Sequence, residues 1–143
     1  MVYFDTSYLV RLYINDHGAD AVRKLAAASE VASSFHGEIE TIAAIHRVYR
    51  EEPLTRTAYF ELLDQFHDDS HAGSFHWLSA GRELVPKLEA VYRNASSKFF
   101  LRAADALHLA CARENGFTEI YSNDARMLAA APAFGLKARN VIK

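Results

Sequence analysis

The chain has 143 residues, half of them hydrophobic and 24% charged, with a formal net charge of −2. That length can bury a core without disulfides or a structural metal, so one domain over residues 1–143 is expected, and the composition excludes a disordered or low-complexity chain. The charge excludes the global basic excess of most non-specific nucleic-acid binders, and no apolar run approaches the roughly 20 residues that span a bilayer; a soluble, cytoplasmic protein with no membrane partner is expected.

Val2-Tyr3-Phe4 is a short β-prone run ending at Asp5, and the hydroxyls of Thr6 and Ser7 can cap a helix carried by Tyr8 to Ile14. Asn15 to Gly18 breaks the pattern, Ala19 to Ala28 reads as an alanine-rich helix, and Val31 to Ser34 as a second strand joined by a parallel crossover. From Gly37 to Arg50, Ile39, Ile42, Ala43, Ile45 and Tyr49 recur at helical spacing, and Leu54 to Phe66 gives another amphipathic helix. Phe75 to Leu78 predicts a third strand, Arg82 to Tyr92 a helix that must accommodate Pro86 near its first turn, and Asn94 to Phe99 a loop. Arg102 to Glu114 predicts a helix closed by Asn115-Gly116, and its Cys111, the lone cysteine, suits a buried, inert thiol. Glu119 to Ser122 is strand-like, Asp124 to Ala131 a short helix before Pro132, and Lys137 to Val141 a last strand. This alternation implies an α/β fold, a three-layer α/β/α sandwich around a mostly parallel sheet.

Ligands of such sheets bind beyond the carboxyl ends of the strands. Asp5 and Asp124 each follow a predicted strand and so point to one rim, although either could be a simple helix cap. Asp105 lies in a helix apolar on nearly all sides, on the face of Leu101, His108, Leu109 and Ala112, and its charge needs a cation, a shifted pKa, or an ion pair with Arg102 or His108. Carboxylates that converge repel, a cost relieved by hard divalent cations, for which oxygen ligands favour magnesium or manganese over zinc. A rival zinc reading of His67 and His71, four residues apart, lacks a cysteine and reads more simply as a solvated helix end.

Three segments resemble the PIN-domain family, especially its VapC-type toxins: Val2-Tyr3-Phe4-Asp5-Thr6-Ser7, Asp105-Ala106-Leu107-His108-Leu109-Ala110, and Ser122-Asn123-Asp124 with Leu128. They occur in order over nearly the whole chain. For the second acid of the family, Glu38 and Glu40 both offer themselves, about 200° apart on a helix so that only one can face the site. Alignment of Ile42 to Arg47 with the family pattern favours Glu40, with Glu38 left open. The resemblance implies that Asp5, Glu40, Asp105 and Asp124 bind one or two Mg2+ or Mn2+ ions and cleave RNA, leaving a 5′-phosphate and a 3′-hydroxyl. Thr6, Ser7 and Asn123 become candidates for contact with substrate or for orienting a carboxylate or water, and His108 reads as a hydrogen-bonded packing residue.

The resemblance also implies a cognate antitoxin and a homodimer. The hairpin positions Tyr49, Tyr59, Phe60, Leu62 and Leu63 are candidates for an antitoxin groove, and Arg47, Arg50, Arg56 and Lys98 for the basic positions that tune cleavage preference. Two rival readings are a PIN-like domain that binds RNA or protein without cutting, and a small-molecule phosphohydrolase. Against the second, no phosphate-cradling glycine loop or G-x-S-x-G elbow is present.

Overall fold

A computed structural model describes residues 1–143. Strand β1 (Val2–Tyr3) is followed by α1 (Thr6–Leu9), a 3-10 turn over Val10–Leu12, and α2 (Ala19–Ala27), which returns the chain to β2 (Val31–Ser34). The long α3 (Phe35–Glu51) and α4 (Arg56–His71) form a hairpin before β3 (Phe75–Leu78). A 3-10 turn over Arg82–Leu84 leads into α5 (Val85–Asn94), with Pro86 in the first turn where its missing N–H costs nothing. Helix α6 (Ala103–Glu114), β4 (Glu119–Tyr121), α7 (Ala125–Ala130), a 3-10 turn over Ala131–Phe134 and β5 (Lys137–Arg139) complete the order.

All pairings are parallel. β1 pairs with β2 (Val2 opposite Val31), β2 with β3 (Val31 opposite Phe75), and β4 with β5 (Ile120 opposite Ala138). A single bridge, Phe4 to Tyr121, joins β1 to β4, and the Asp5 N–H donates to the Tyr121 carbonyl at 3.1 Å. Across this bridge the strand order is 3-2-1-4-5, and the direction of winding reverses between β1 and β4. A crevice forms at such a reversal, beyond the strand ends.

Alternation along the strands sends successive side chains to opposite faces. Tyr3, Ile120 and the partly buried Leu78 join Leu84, Leu109, Met127 and their neighbours in one core under α5, α6 and α7. Phe4, Val31 and Phe75 join Tyr8, Leu9, Val22, Ile45 and Phe66 in a second core under α1 to α4. Phe4 and Leu9 are fully buried, a contribution of about 2 kcal/mol each. The three-layer expectation is met, with a wholly parallel sheet.

Several local expectations are corrected. The cap of α1 is Asp5, whose carboxylate accepts the Tyr8 N–H, and Thr6 and Ser7 are already helical. Helix α3 starts two residues before Gly37, because the Ser34 hydroxyl at the end of β2 accepts the Gly37 N–H. Its buried face is Gly37, Thr41 and Ile45, while Ile39 and Ile42 are exposed. Helix α4 starts at Arg56, after a Thr55 cap, and runs through His71. His67 and His71 are exposed on its last turn, where the His71 ring meets the His67 carbonyl at 2.8 Å; this is the solvated helix end expected. Gly116 takes the left-handed conformation after α6, and Cys111 is fully buried, its thiol pushed up to about 11 by burial.

In the hairpin, Tyr49 and Tyr59 stack on one another at 4.3 Å, and Leu62 and Leu63 pack toward the second core. Of the five residues expected to form a groove, only Phe60 is exposed, under the Arg56 guanidinium. Only Leu62 borders the nearby hollow of about 370 Å³, whose other walls include Tyr13, Ile14, Val48 and Ala58. The five residues thus do not form a groove together: the two tyrosines cover each other, and the hollow lies between the hairpin and the segment after the 3-10 turn over Val10–Leu12.

Candidate active site

The crevice at the strand reversal is a cavity of about 370 Å³, and Asp5, Glu40, Asp105 and Asp124 all line it. Thr6, Ser7, Arg11, Arg47, Arg102 and His108 share its wall. Glu38 and Asn123 do not, so of the two glutamates it is Glu40 that faces the cavity. Asn123 instead gives its backbone N–H to Ser7 at 2.8 Å and accepts from Asn140 through its side chain at 2.9 Å. Arg50, Arg56 and Lys98 lie away from the cavity.

Asp5 is 3% exposed and hydrogen-bonded through both oxygens. Oδ1 accepts from the Ser7 hydroxyl at 2.6 Å and the Tyr8 N–H at 3.2 Å, and Oδ2 accepts from the Ser122 hydroxyl at 2.5 Å. The two serine hydroxyls also accept the backbone N–H groups of Asn123 and Asp124. Ser7 and Ser122 therefore fasten the loop after β4 onto the end of β1. Burial raises the Asp5 carboxyl above its ordinary value, opposed by His108 and these donors.

Asp124 divides its oxygens. Oδ1 caps α7 by accepting the Arg126 and Met127 N–H groups, and Oδ2 stands 3.7 Å from Arg102. Helix capping and a place in the cavity are thus compatible, as they are for Asp5. Asp105, 13% exposed, stands 3.5 Å from the same guanidinium through Oδ2, an atom that is buried and has no hydrogen-bond partner. Its carboxyl is raised by burial first and then by the charge of Asp124, against the pull of Arg102. The expected pairing of Asp105 with Arg102 is present; the alternative with His108 is not, because His108 is bound elsewhere.

That partner is Glu40. Its Oε1 accepts from Thr6 Oγ1 at 2.7 Å and His108 Nε2 at 2.8 Å, with His36 at 3.9 Å. Burial works upward on this carboxyl, but the His108 bond and ring, the Thr6 hydroxyl and His36 outweigh it and hold it below the ordinary value. Thr6 and Ser7 each orient a carboxylate, one of the roles the sequence suggested for them.

A cation fits this donor set in chemistry, because carboxylate oxygens suit a hard divalent ion and Asp105 Oδ2 is a buried acceptor that receives no hydrogen bond. No three His, Cys, Asp or Glu side chains stand close enough to enclose an ion as they are posed. The Arg102 guanidinium, on a side chain 61% exposed, serves as the cation of Asp105 and Asp124.

Sequence reasoning assigned no role to Ser122, Tyr3 or Arg11. Ser122 is fully buried, Tyr3 donates or accepts at His108 Nδ1 at 2.9 Å, and Arg11 braces the turn after α1 by donating to the Ser7 and His17 carbonyls. Only Ser122 left a signal, a small hydroxyl residue at a strand end two positions before an acid.

Comparison with known proteins agrees with this architecture. The family model of the PIN domain matches residues 2–132. No curated protein matches the chain in sequence. Among solved structures, VapC20 of Mycobacterium tuberculosis, a Sarcin-Ricin loop cleaving toxin, superposes with a TM-score of 0.69 at 18% identity over 91% of this chain and 95% of that one. VapBC2 of Rickettsia felis, bound to a DNA fragment from its promoter, gives 0.67 at 14% identity, covering 98% of each chain. A toxin–antitoxin complex from Klebsiella pneumoniae gives 0.63 at 16% identity over 93% of this chain and 94% of that one.

Proposed function

The chain belongs to the PIN-domain family, and from that premise we propose that it is a Mg2+- or Mn2+-dependent endoribonuclease, the toxin of a VapBC-type toxin–antitoxin pair. The observation that carries the reading is the meeting of four acids, far apart in sequence, on the wall of one cavity at the strand reversal. Asp5, Glu40, Asp105 and Asp124 would hold the ion. What the ion supplies when bound is positive charge, which acidifies water and neutralises phosphate oxygens during in-line hydrolysis of a phosphodiester.

The chain's own residues have separable tasks. Ser7, Ser122 and the Tyr8 N–H fix both oxygens of Asp5, and Thr6 fixes one oxygen of Glu40. Asp124 keeps Oδ2 free of its cap, and Asp105 offers its orphaned Oδ2. Arg102 compensates Asp105 and Asp124 when no other cation does, and its exposure lets it turn to a substrate phosphate. Arg47, on the rim and 3.4 Å from Glu51, is a second exposed guanidinium for the RNA backbone.

The fold likeness to toxin–antitoxin structures supports a cognate antitoxin as partner, and the exposed apolar residues Phe35, Ile39 and Ile42 on α3 support pairing with a second copy of the chain. No helix is long and apolar enough to cross a membrane.

The purified chain is to be given RNA, DNA and a simple phosphate ester, with magnesium, with manganese and with chelator. RNA should be cut only when a divalent ion is present, and Asp5→Asn and Asp105→Asn should each lower the rate roughly 100- to 1,000-fold, the scale of deleting a charge-organising group. Undiminished cleavage in both variants rejects the assignment of the acids. Binding of RNA without cleavage, or hydrolysis of the ester alone, rejects the nuclease.

A further inference from the structure

We propose that His108 is a positioning residue, which holds Glu40 by one oxygen at the end of a one-directional run of hydrogen bonds and leaves the other oxygen free for the cation. The inference rests on the reading of Glu40 as a ligand and adds to it a residue that acts through Glu40.

His108 is 1% exposed in the middle of α6, with polar partners on both ring nitrogens. Nδ1 lies 2.9 Å from the Tyr3 hydroxyl, and Nε2 lies 2.8 Å from Glu40 Oε1, with Thr6 Oγ1 at 3.2 Å. The Tyr3 hydroxyl in turn accepts the Ser34 backbone N–H at 3.2 Å. The ring of Tyr3 meets the imidazole edge-on, at 5.9 Å and 82°, which fixes the plane of His108.

The direction of each bond follows from donor accounting. A backbone N–H only donates, so the Ser34–Tyr3 bond has one sense. Tyr3 is fully buried, and His108 Nδ1 is the remaining partner of its hydroxyl, so the phenolic proton goes to Nδ1. The ring proton then sits on Nε2 and is given to Glu40 Oε1. The opposite tautomer would set a bare nitrogen against a carboxylate and leave Tyr3 and Nδ1 with two protons for one bond.

The consequence at Glu40 is asymmetric. Oε1 receives Thr6 and His108, whereas Oε2 receives no hydrogen bond and the side chain is 28% exposed. Glu40 is reached from α1, α6, β1 and the end of β2 together, and the donors on Oε1 take away its freedom to turn.

Manganese binding is to be measured by titration calorimetry on the full chain and its variants, with circular dichroism to check folding. His108→Leu should weaken binding about 10- to 100-fold, the range for partners that orient metal ligands. His108→Gln, whose amide can donate where Nε2 did, should recover most of it, and Tyr3→Phe should weaken it less than His108→Leu. Long-range nitrogen–proton spectra of the wild type should show the ring proton on Nε2. A folded His108→Leu chain of lower stability but unchanged manganese affinity overturns the proposal, as does a proton on Nδ1 or a Gln variant no better than Leu. If His108→Leu does not fold, Tyr3→Phe decides, and unchanged affinity there overturns it. A wild type that binds no manganese overturns the nuclease reading as well; a wild type that binds and cuts while the variants match it overturns only the role of His108.

Discussion

Asp105 is a carboxylate kept where water cannot solvate one of its oxygens, beside the negative charge of Asp124. Its carboxyl is raised in the folded chain, so the ionised form is worth less there than in the unfolded chain. Asp105→Asn should therefore raise the melting midpoint of the metal-free protein, while cleavage is lost. Thermal melts with chelator would check this, and an unchanged or lower midpoint would count against it. Arg102 pairs with both acids at long range from an exposed side chain, so its own contribution to stability is small. Asp5, Asp105 and Asp124 were legible as residues because a charge after a strand or inside an apolar helix stands out against its neighbours. Tyr3 was not, since a hydroxyl becomes informative only when the group opposite it is known.

Helix α3 carries Glu40 into the cavity, and its placement depends on Gly37. A Cβ there would stand 2.6 Å from Ser33 Oγ, 3.0 Å from His108 Cε1 and 3.3 Å from Leu9 Cδ1. Gly37→Ala should cost about 1–3 kcal/mol by overpacking, and it should shift Glu40, one turn along, away from Thr6 and His108. Urea unfolding and a cleavage assay would check the two effects, and a stable variant with full activity would contradict both. This close approach explains why the periodicity of α3 misled. Ile39 and Ile42 suggested the buried stripe, but the packed face is made of Gly37, Thr41 and Ile45, whose first two residues gain their place by being small. Strands β2 and β3 were legible to the residue, being short runs bounded by turn residues. The Ser34 cap was hidden because one residue both ends β2 and starts α3.

For the whole molecule, the acids make stability depend on pH. Asp5 and Asp105 are raised, so their ionisation destabilises the metal-free fold as pH rises from the ordinary aspartate value, near 3.9, through their folded values. Glu40 is lowered, and its contribution has the opposite sign, present above the ordinary glutamate value and lost as pH falls through the folded one. Protons compete with a cation for these carboxylates, so manganese should raise the melting midpoint more at neutral pH than at acid pH, its stabilisation reaching about 2.7 kcal/mol when its concentration is 100 times Kd at neutral pH. An equal shift at both pH values would show that the ion does not act through these carboxylates. The fold class was legible because alternating strands and helices admit few arrangements. The strand order was not, since nothing local marks the reversal between β1 and β4. That reversal has a bearing on synthesis. Asp5 and Glu40 belong to the strands and helices on one side of the Phe4–Tyr121 bridge, while Asp105 and Asp124 are made later and dock on the other. A nascent chain that ends before residue 105 thus holds two of the four cavity acids, and the cavity cannot be completed until the segment through Asp124 has emerged and docked across the bridge.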